Sequence, residues 1–539
     1  MRFVYLFWVA VLFLPAQAET VVSEKAIRAH TEFLSSDSLQ GTNAGTIGYQ
    51  VAADYVRAEF IKLGMKPGGE NGTFFQQVPL LAYTPVKGSH KTIIKTGQGD
   101  VELKYRDQFL MRPDAKRESV SVEGQLVFAG YGVRSERFSY DDYAGIDVQG
   151  KIVVILDGRP EAWPTEEGAH LGSPRQKIRN AVEAGAIGMI TIETPRERIF
   201  TPWLQYLPYA DLPRMDWIGP GGDPDFYFEQ MMGGSLIKME DAGVIFEDAP
   251  VSLEALFDLD NNGEPLPRFP LTTSAYLSRE STHEVTTSPN VIGIIEGSDP
   301  QLKHEFVTFM GHLDHIGVIE TPVEGDDEIY NGALDNAVGI ATLIEAARVL
   351  SAEQSRLKRS VMFLAVTAEE KGLLGAGYFA ANPTVPIDNI VANINLDMPI
   401  LLYPFSDVVA FGAQHSSMWD SVEKAANEAG IKLLPDPVPE QGLFTRSDHY
   451  RFVQQGIPSI SLAPGFGSKD PERNGGDIWQ QHLKEYYHKP SDDVALPIDY
   501  EAAKVFTEIN INIGREICND PERPSWNEDR FFGELFGRR

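Results

Sequence analysis

Apolar runs that alternate with helical patterns in the second half of the chain constrain the fold more than any other feature. The runs are "EFVTFM", "RSVMFLAV" and "VANINL", and the helical pattern "NAVGIATLIEAARVL" separates the first two. Strands this uniformly apolar are buried on both faces, as in parallel or mixed sheets covered by helices. The sequence therefore predicts an α/β fold, a three-layer α/β/α sandwich with a mostly parallel mixed sheet. Ligands of such folds bind beyond the carboxyl ends of the strands.

The length of the chain and a change in its sequence pattern predict two domains. A chain of 539 residues is too long for one compact core. From Val120 onward, strands bounded by glycine appear, such as "GKIVVILDG". We predict a β-rich domain at 120–284, inserted between an N-terminal part of the α/β domain at 19–119 and its main part at 285–539.

The first residues have the pattern of a cleavable secretory signal. Arg2 precedes an apolar run from Phe3 to Leu14, and the small residues Ala16 and Ala18 follow. We predict a signal peptide at 1–18 and an exported protein, periplasmic or extracellular, that is not held at the membrane after cleavage. An uncleaved anchor is the alternative, which is disfavoured because a bilayer-spanning helix needs ~20 residues.

Charge and cysteine content exclude some classes of protein. Asp and Glu number 77 against 47 Lys and Arg, a formal net charge of −30, which argues against a nucleic-acid partner. Cys518 is the single cysteine, so no intramolecular disulfide can form. Export without disulfides indicates a bacterial protein. The oligomeric state is not predictable from the sequence.

Polar residues of the kinds that bind metal ions follow several predicted strands. They are imidazoles and carboxylates without a thiolate among them, namely His312, Asp314, His315, Asp335, Glu369, Glu370, Asp397 and His488. Because carboxyl ends of parallel strands meet at one edge of a sheet, we expect these side chains to converge. Any one of them alone could be a helix cap or a turn residue. Together they predict a site for hard or borderline divalent metal ions.

Five motifs resemble, in order, those of the M28 family of co-catalytic zinc metallopeptidases, which includes bacterial secreted aminopeptidases. The motifs are "GHLDHIG", "NGALDNAVG", "TAEEKGLLG", "NINLDM" and "FTRSDHYRFVQQGIPSI". The segment "VFAGYGVRSERFSYDDYAGIDVQGKIVVILDG" is similar to the protease-associated (PA) domain inserted in many of these enzymes. The resemblance implies a peptidase with two divalent metal ions, for which Zn²⁺ is the expected metal. It also identifies the insertion as a PA domain.

The family pattern also implies which residues bind each ion. The expected ligands are, for the first ion, His312, Asp335 and Asp397 and, for the second ion, Asp335, Glu370 and His488. Asp335 would bridge the two ions. Three protein ligands for each ion and a shared water leave the open position that a catalytic site requires. In proteins resembling this one the peptide bond after the bridging carboxylate is cis, so we expect a cis bond between Asp335 and Asn336.

Two adjacent carboxylates, Glu369 and Glu370, would then divide two roles. Because adjacent residues project in different directions, Glu370 can bind a metal ion while Glu369 faces the metal-bridging water. Glu369 is the expected general base, which takes a proton from that water and passes it to the leaving amine. Asp314 is expected to orient the imidazole of His312 by accepting its hydrogen bond.

Three other residues near the motifs have less specific expectations. Tyr487 would donate its hydroxyl to the oxyanion of the tetrahedral intermediate, or else pack beside the ligand loop. Arg446 is expected to contact the substrate. His315 is expected to be structural.

The predicted function is therefore that of an exported di-zinc metallo-aminopeptidase, which hydrolyses the N-terminal peptide bond of peptides. A carboxypeptidase or dipeptidase of the same fold is an alternative, and it would need basic groups aimed at a substrate carboxylate. A single-metal acyltransfer enzyme is disfavoured because His312 and Asp397 are both present. A non-catalytic binding homologue would have lost a ligand or the base, and neither is missing from the sequence.

Overall fold

The structure, a computed structural model, describes residues 21–319 and 327–537. The predicted signal peptide at 1–18 lies outside these residues. The α-helices are α1 (Glu24–Leu34), α2 (Ile47–Lys62), α3 (Thr165–Leu171), α4 (Pro174–Glu183), α5 (Pro195–Phe200), α6 (Trp203–Tyr206), α7 (Leu253–Asn261), α8 (Val338–Ala352), α9 (Leu374–Ala381), α10 (Met418–Glu428), α11 (His449–Val453), α12 (Gly475–Glu485), α13 (Tyr500–Asn519) and α14 (Phe531–Phe536). None of these described helices combines the length and the apolarity needed to cross a bilayer.

The β-strands are distributed over a main sheet, a second sheet and two short ribbons. They are β1 (Lys66–Pro67), β2 (Phe75–Pro85), β3 (Lys91–Thr96), β4 (Gly99–Glu102), β5 (Phe109–Leu110), β6 (Ser119–Ala129), β7 (Arg134–Ser135), β8 (Tyr140–Asp141), β9 (Ile152–Leu156), β10 (Gly188–Ile192), β11 (Arg214–Trp217), β12 (Gly233–Ile237), β13 (Arg268–Ile295), β14 (Phe306–His312), β15 (Gly317–Val318), β16 (Ile329–Tyr330), β17 (Ser360–Val366), β18 (Ile390–Asn395), β19 (Asp407–Phe411), β20 (Lys432–Leu433) and β21 (Ser459–Pro464).

The main sheet has a parallel centre with antiparallel strands on both sides. β17, β14, β18 and β21 are successive parallel neighbours, and every residue of β17, β18 and β21 is buried. β13 pairs antiparallel with β17, and β19 pairs antiparallel with β21. This arrangement confirms the predicted mostly parallel mixed sheet.

Helices cover both faces of this parallel centre. Phe309 of β14 belongs to the same core as Ile340 of α8. Met310, the next residue, faces the opposite side, in a core with Phe379 of α9 and Phe452 of α11. Adjacent residues of one strand thus bury their side chains in two different helical layers, which confirms the three-layer sandwich and explains why polar residues do not alternate along these strands.

One strand, β13, joins the main sheet to the second sheet. It is 28 residues long, and its first part pairs with β6 and β3 while its later part pairs with β2 and β17. The second sheet runs in the order β4, β3, β13, β6, β9, β10, β12, β5. β3, β4 and β5 precede residue 120, and β11 from within 120–284 pairs with β2 in the main sheet. Each of the two sheets therefore contains strands from both sides of the predicted domain boundary at 120.

A fully buried arginine anchors the C-terminal segment at the amino ends of β14 and β17. Arg359 is 0% exposed, and its Nε donates to Glu305 Oε2 at 2.6 Å. Its guanidinium also donates to the carbonyls of Ile517, Asp520 and Glu522. Glu305 receives a second hydrogen bond from Arg523, whose side chain is 52% exposed.

Replacement of Arg359 by alanine is expected to destabilise the protein by about 3 to 5 kcal/mol, because it removes a buried donor from Glu305 and from three backbone carbonyls, of which that of Ile517 is buried. Arg523→Ala is the matched control, since it removes an exposed arginine from the same carboxylate and should cost about 1 kcal/mol or less. Denaturant titration of both variants measures the difference. Equal, small losses in the two variants would contradict this account of Arg359.

Candidate metal centre

Three parallel strands carry polar residues to one edge of the main sheet. β14 ends at His312, the turn after β17 carries Glu369 and Glu370, and Asp397 lies two residues beyond β18. Because these strands are parallel neighbours, their carboxyl ends lie side by side.

The first group of candidate ligands is formed by His312, Asp335 and Asp397. His312 Nε2 lies 3.0 Å from Asp397 Oδ1 and 3.2 Å from Asp335 Oδ1. One donor atom from each of the three residues lies within 4.8 Å of the other two. Asp335 reaches this position from a distorted turn just before α8, and the Asp335–Asn336 peptide bond is cis, as expected from the sequence.

The second group lies on the other side of Asp335. His488 Nε2 is 3.4 Å from Asp335 Oδ2 and 3.1 Å from Glu370 Oε2. Asp335 therefore presents Oδ1 to the first group and Oδ2 to the second. This is the arrangement that a bridging carboxylate needs, and the structure brings all five expected ligands together.

His315 also belongs to this second group, although sequence reasoning assigned it a structural part. Its Nδ1 lies 2.7 Å from Glu370 Oε1, and donor atoms of His315, Asp335 and Glu370 lie within 4.8 Å of one another. The contact is short but poorly oriented, so Glu370 Oε1 and both ring nitrogens of His315 lack a hydrogen-bond partner among the described residues. The spacing "HLDH" was the sequence signal that could have drawn attention to it.

The chemistry of these groups fits divalent cations. Imidazole nitrogens and carboxylate oxygens are ligands of hard and borderline metal ions, and Glu370 Oε1 is a buried acceptor without a donor. Burial raises the pKa of a carboxyl group, yet hydrogen bonds from His312 and His488 hold the pKa of Asp335 well below its usual range. The histidines thus offset the negative charge of the carboxylates, as bound cations would.

Glu369 lies in a different environment from its neighbour Glu370. Burial of the Glu369 carboxyl group raises the pKa of Glu369 well above the usual value. The charge of His312 opposes this shift of the pKa, and the charges of Asp397 and Asp448 add to it. In Glu370, burial is outweighed by His488 and His315, which lower the pKa to about 2. Glu370 is therefore suited to hold a cation, whereas Glu369 has the greater affinity for a proton.

Asp314 supports the site through contacts that differ from the expected one. The backbone carbonyl of Asp314, and not its carboxylate, lies 3.0 Å from His312 Nδ1 and orients the imidazole. The carboxylate instead accepts the backbone N–H groups of Glu369 at 2.9 Å and Glu370 at 3.3 Å. Asp314 thus fixes the turn that carries both glutamates.

A hydrogen-bonded chain supports Asp397 from the other side. Asn395 Nδ2 donates to Ser447 Oγ at 2.7 Å, and the Ser447 hydroxyl donates to Asp397 Oδ2. Asp397 is thereby left with Oδ1 facing His312. The motif "TRSDH", which contains Ser447, contributes this contact from a loop distant in sequence.

A cavity of about 120 Å³ opens beside the two groups. Glu369, Tyr487 and Arg446 line it together with several of the candidate ligands. The Tyr487 ring stacks on the ring of His488 with centroids 3.8 Å apart, and burial raises the pKa of its phenol well above the usual value. The rest of the lining has an apolar part, formed by Met398, Phe411, Leu443, Ala463, Trp479 and Leu483, and a polar part, formed by Gln441, Ser447, His449 and Ser461. The cavity can therefore accept a small apolar group next to the carboxylates.

The inserted region borders this site. Tyr209 lies between α6 and β11, and β11 pairs with β2 of the main sheet. Burial raises the pKa of the Tyr209 phenol, and the charge of Glu370 adds to the effect. The segment before β11 is therefore close enough to act electrostatically on the second group.

Comparison with known proteins relates the chain to a family of peptidases. Residues 290–513 match the description "Peptidase family M28", and residues 122–216 match "PA domain". Aminopeptidase YwaD of Bacillus subtilis (strain 168) is 28% identical over 213 residues, which cover 39% of this chain and 40% of that protein. Aminopeptidase NAALADL1 of Mus musculus is 25% identical over 388 residues, which cover 64% and 47%. The chain thus spans less than half the length of these curated relatives.

A solved structure shows the same fold. The aminopeptidase from Aneurinibacillus sp. strain AM-1 superposes with a TM-score of 0.53 over 94% of this chain and 96% of that one, at 19% sequence identity. Similarity at this level of identity concerns the fold.

Binding of a divalent cation at pH 7 is expected to release protons. Burial lowers the pKa of His488, but Glu370 and Asp335 outweigh the effect of burial and raise the pKa to about 10, so the imidazole is expected to carry a proton at pH 7 before a cation binds. A histidine must lose this proton to bind a cation, so affinity should rise with pH up to about 10. Calorimetric titration with Zn²⁺ in buffers of different ionisation enthalpy measures the release. A heat of binding independent of the buffer would contradict this prediction.

Proposed function

Because this chain belongs to peptidase family M28, matched at residues 290–513, we propose that it is an exported metallo-aminopeptidase that removes the N-terminal residue from peptides. The observation that carries the proposal is the pair of donor groups that share Asp335 at the mouth of a cavity. Such a site would offer donor atoms to two cations, and the cavity beside it would accept one terminal residue of a substrate.

Two zinc ions are proposed as the cofactors. The residues that would hold them are His312, Asp335 and Asp397 for one ion and Asp335, Glu370 and His488 for the other, with His315 in contact with Glu370. When bound, the ions would supply Lewis-acid polarisation of the substrate carbonyl and a water of lowered pKa. Every other part of the reaction falls to the side chains of the protein.

Glu369 is proposed as the general base. Its carboxylate accepts a proton from the attacking water as the oxygen of that water bonds to the carbonyl carbon, and it delivers the proton to the amine nitrogen as the C–N bond breaks. Tyr487, which lines the same cavity, is proposed to donate its hydroxyl to the oxyanion.

The charge of the site favours the amino end of a substrate. Glu369 lines the cavity and is not a proposed ligand, so its carboxylate can attract the ammonium group of a peptide N-terminus. The apolar wall then receives the side chain of the first residue. The runner-up, a carboxypeptidase or dipeptidase, is favoured by Arg446, an exposed cation on the cavity wall that could bind a substrate carboxylate.

Export is part of this proposal and is supported by the sequence. Arg2, the apolar run from Phe3 to Leu14 and the small residues at 16 and 18 have the order of a secretory signal. Secretion into the medium or periplasm of an expression host, with a new N-terminus at Glu19, would agree with it. Retention of the intact chain in the cytoplasm would oppose it.

An aminopeptidase is expected to cleave leucine anilide and unblocked peptides and to lose at least about 10²-fold in rate when the peptide amine is acetylated, because acetylation removes the recognised ammonium group. Amidation of the peptide C-terminus should leave the rate nearly unchanged. Steady-state hydrolysis of matched free, acetylated and amidated peptides measures both effects. Cleavage that survives acetylation and fails on amidation would establish the carboxypeptidase reading instead.

Glu369→Gln is expected to lower kcat by about 10² to 10⁴-fold, because it removes the proton acceptor and preserves the shape of the side chain. Metal content should stay at the wild-type value, since Glu369 is not a proposed ligand. Glu370→Gln is the matched comparison, and it should lose activity together with metal. Metal analysis and kinetics on both variants decide between them. Loss of metal from Glu369→Gln alone would mean that the two roles are reversed.

A further inference from the structure

Asp492 accepts hydrogen bonds from three consecutive backbone N–H groups that lead into Asp335. Its backbone carbonyl accepts Ala333 N–H at 3.1 Å, Oδ1 accepts Leu334 N–H at 2.9 Å, and Oδ2 accepts Asp335 N–H at 3.1 Å. Asp492 is 0% exposed, and all three donor residues are buried. Both carboxylate oxygens are thus committed to the segment that carries the shared candidate ligand.

The backbone around Asp335 explains why it needs an external acceptor. The turn Ala333–Ala337 precedes α8, and Asp335 and Asn336 have φ and ψ angles outside the helical range. N–H groups before and at the start of a helix have no carbonyl one turn earlier to donate to. Buried N–H groups in such a position are costly unless another part of the chain accepts their hydrogen bonds, which Asp492 does.

The loop that carries Asp492 also carries a candidate ligand. His488 lies four residues earlier, in a left-handed conformation with φ 56°, and the Asp492 N–H donates to the carbonyl of Lys489 at 3.0 Å. One short loop therefore places His488 Nε2 3.4 Å from Asp335 Oδ2 and, through Asp492, holds the backbone of Asp335.

We propose that Asp492 is a positioning residue that fixes Asp335 relative to His488 and thereby sets the affinity of the second group for a divalent cation. This inference rests on the proposed function, which assigns Asp335 and His488 as ligands. Asp314 provides a precedent within the same molecule, since its two oxygens accept the N–H groups of Glu369 and Glu370 in the same manner. Each of the two carboxylates thus supports one acidic segment of the metal centre.

Asn at position 492 would disturb this arrangement with little change of shape. A carboxylate accepts at both oxygens, whereas an amide offers one acceptor oxygen and an NH₂ group that can only donate. One of the two N–H groups, of Leu334 or of Asp335, would then face a donor. The backbone at Asp335 has to move to relieve that contact, and its carboxylate moves with it.

The test uses the purified full-length protein and Zn²⁺ alone. Asp492→Asn is compared with wild type and with Asp493→Asn, a matched control whose carboxylate accepts the N–H of Ala495 at 2.6 Å and does not contact the ligand segment. Zinc dissociation constants come from competition with a chelating indicator, and the Co²⁺-loaded proteins give an absorption spectrum that reports ligand geometry.

Asp492→Asn is expected to bind one of two zinc ions about 10 to 100-fold more weakly than wild type and to shift the Co²⁺ spectrum, while Asp493→Asn changes neither. Wild-type affinities and an unchanged spectrum in folded Asp492→Asn would overturn the proposal. If Asp492→Asn does not fold, Asp492→Glu replaces it, because Glu keeps both acceptor oxygens but places them one methylene further out. A folded Asp492→Glu with wild-type zinc affinities and spectrum would likewise overturn the proposal.

The outcome separates this inference from the proposed function. Zinc titration needs no peptide, so a protein that binds two zinc ions with the predicted dependence on Asp492 but cleaves no peptide would refute the aminopeptidase activity alone. A wild-type protein that binds no zinc would refute both.

Discussion

Crowding of carboxylates at the carboxyl edge of the main sheet is the constraint on which the rest of the structure depends. Asp335 faces one imidazole with each of its oxygens, and Glu369, Glu370 and Asp397 lie around it. Two carboxylates about 4 Å apart repel each other by about 4 kcal/mol at the effective dielectric of a protein surface. Histidines relieve part of this repulsion. Divalent cations would relieve more of it, so the crowding of carboxylates favours a cation-binding site.

The surrounding structure holds these groups where repulsion alone would separate them. Parallel strands buried on both faces deliver His312, the Glu369–Glu370 turn and Asp397 from a rigid sheet. Asp314 and Asp492 then fix the two acidic segments through their backbone N–H groups. These supports act on the backbone, so the carboxylates of the candidate ligands remain available to a cation.

Part of this organisation was predictable from the sequence, and the rest was not, for physical reasons. Uniformly apolar strands predict a covered parallel sheet, and such a sheet gathers the residues at its strand ends, so the convergence of His312, Glu370 and Asp397 follows from local patterns. β13 was not predictable, because its pairing partners in two sheets lie up to about two hundred residues away. The contacts of Asp314 and Asp492 were hidden because they join side chains to backbone N–H groups, whose directions depend on loop conformation. His315 was predicted to be structural, because its position in the sequence does not show that its ring faces Glu370.

X-ray diffraction from crystals of the zinc-loaded protein, with anomalous scattering recorded at the zinc absorption edge, tests whether Asp335 bridges two ions. We expect two anomalous peaks at the edge of the main sheet. One should contact His312 and Asp397, the other Glu370 and His488, and both should contact Asp335. A single peak, or peaks bound elsewhere on the chain, would contradict this expectation.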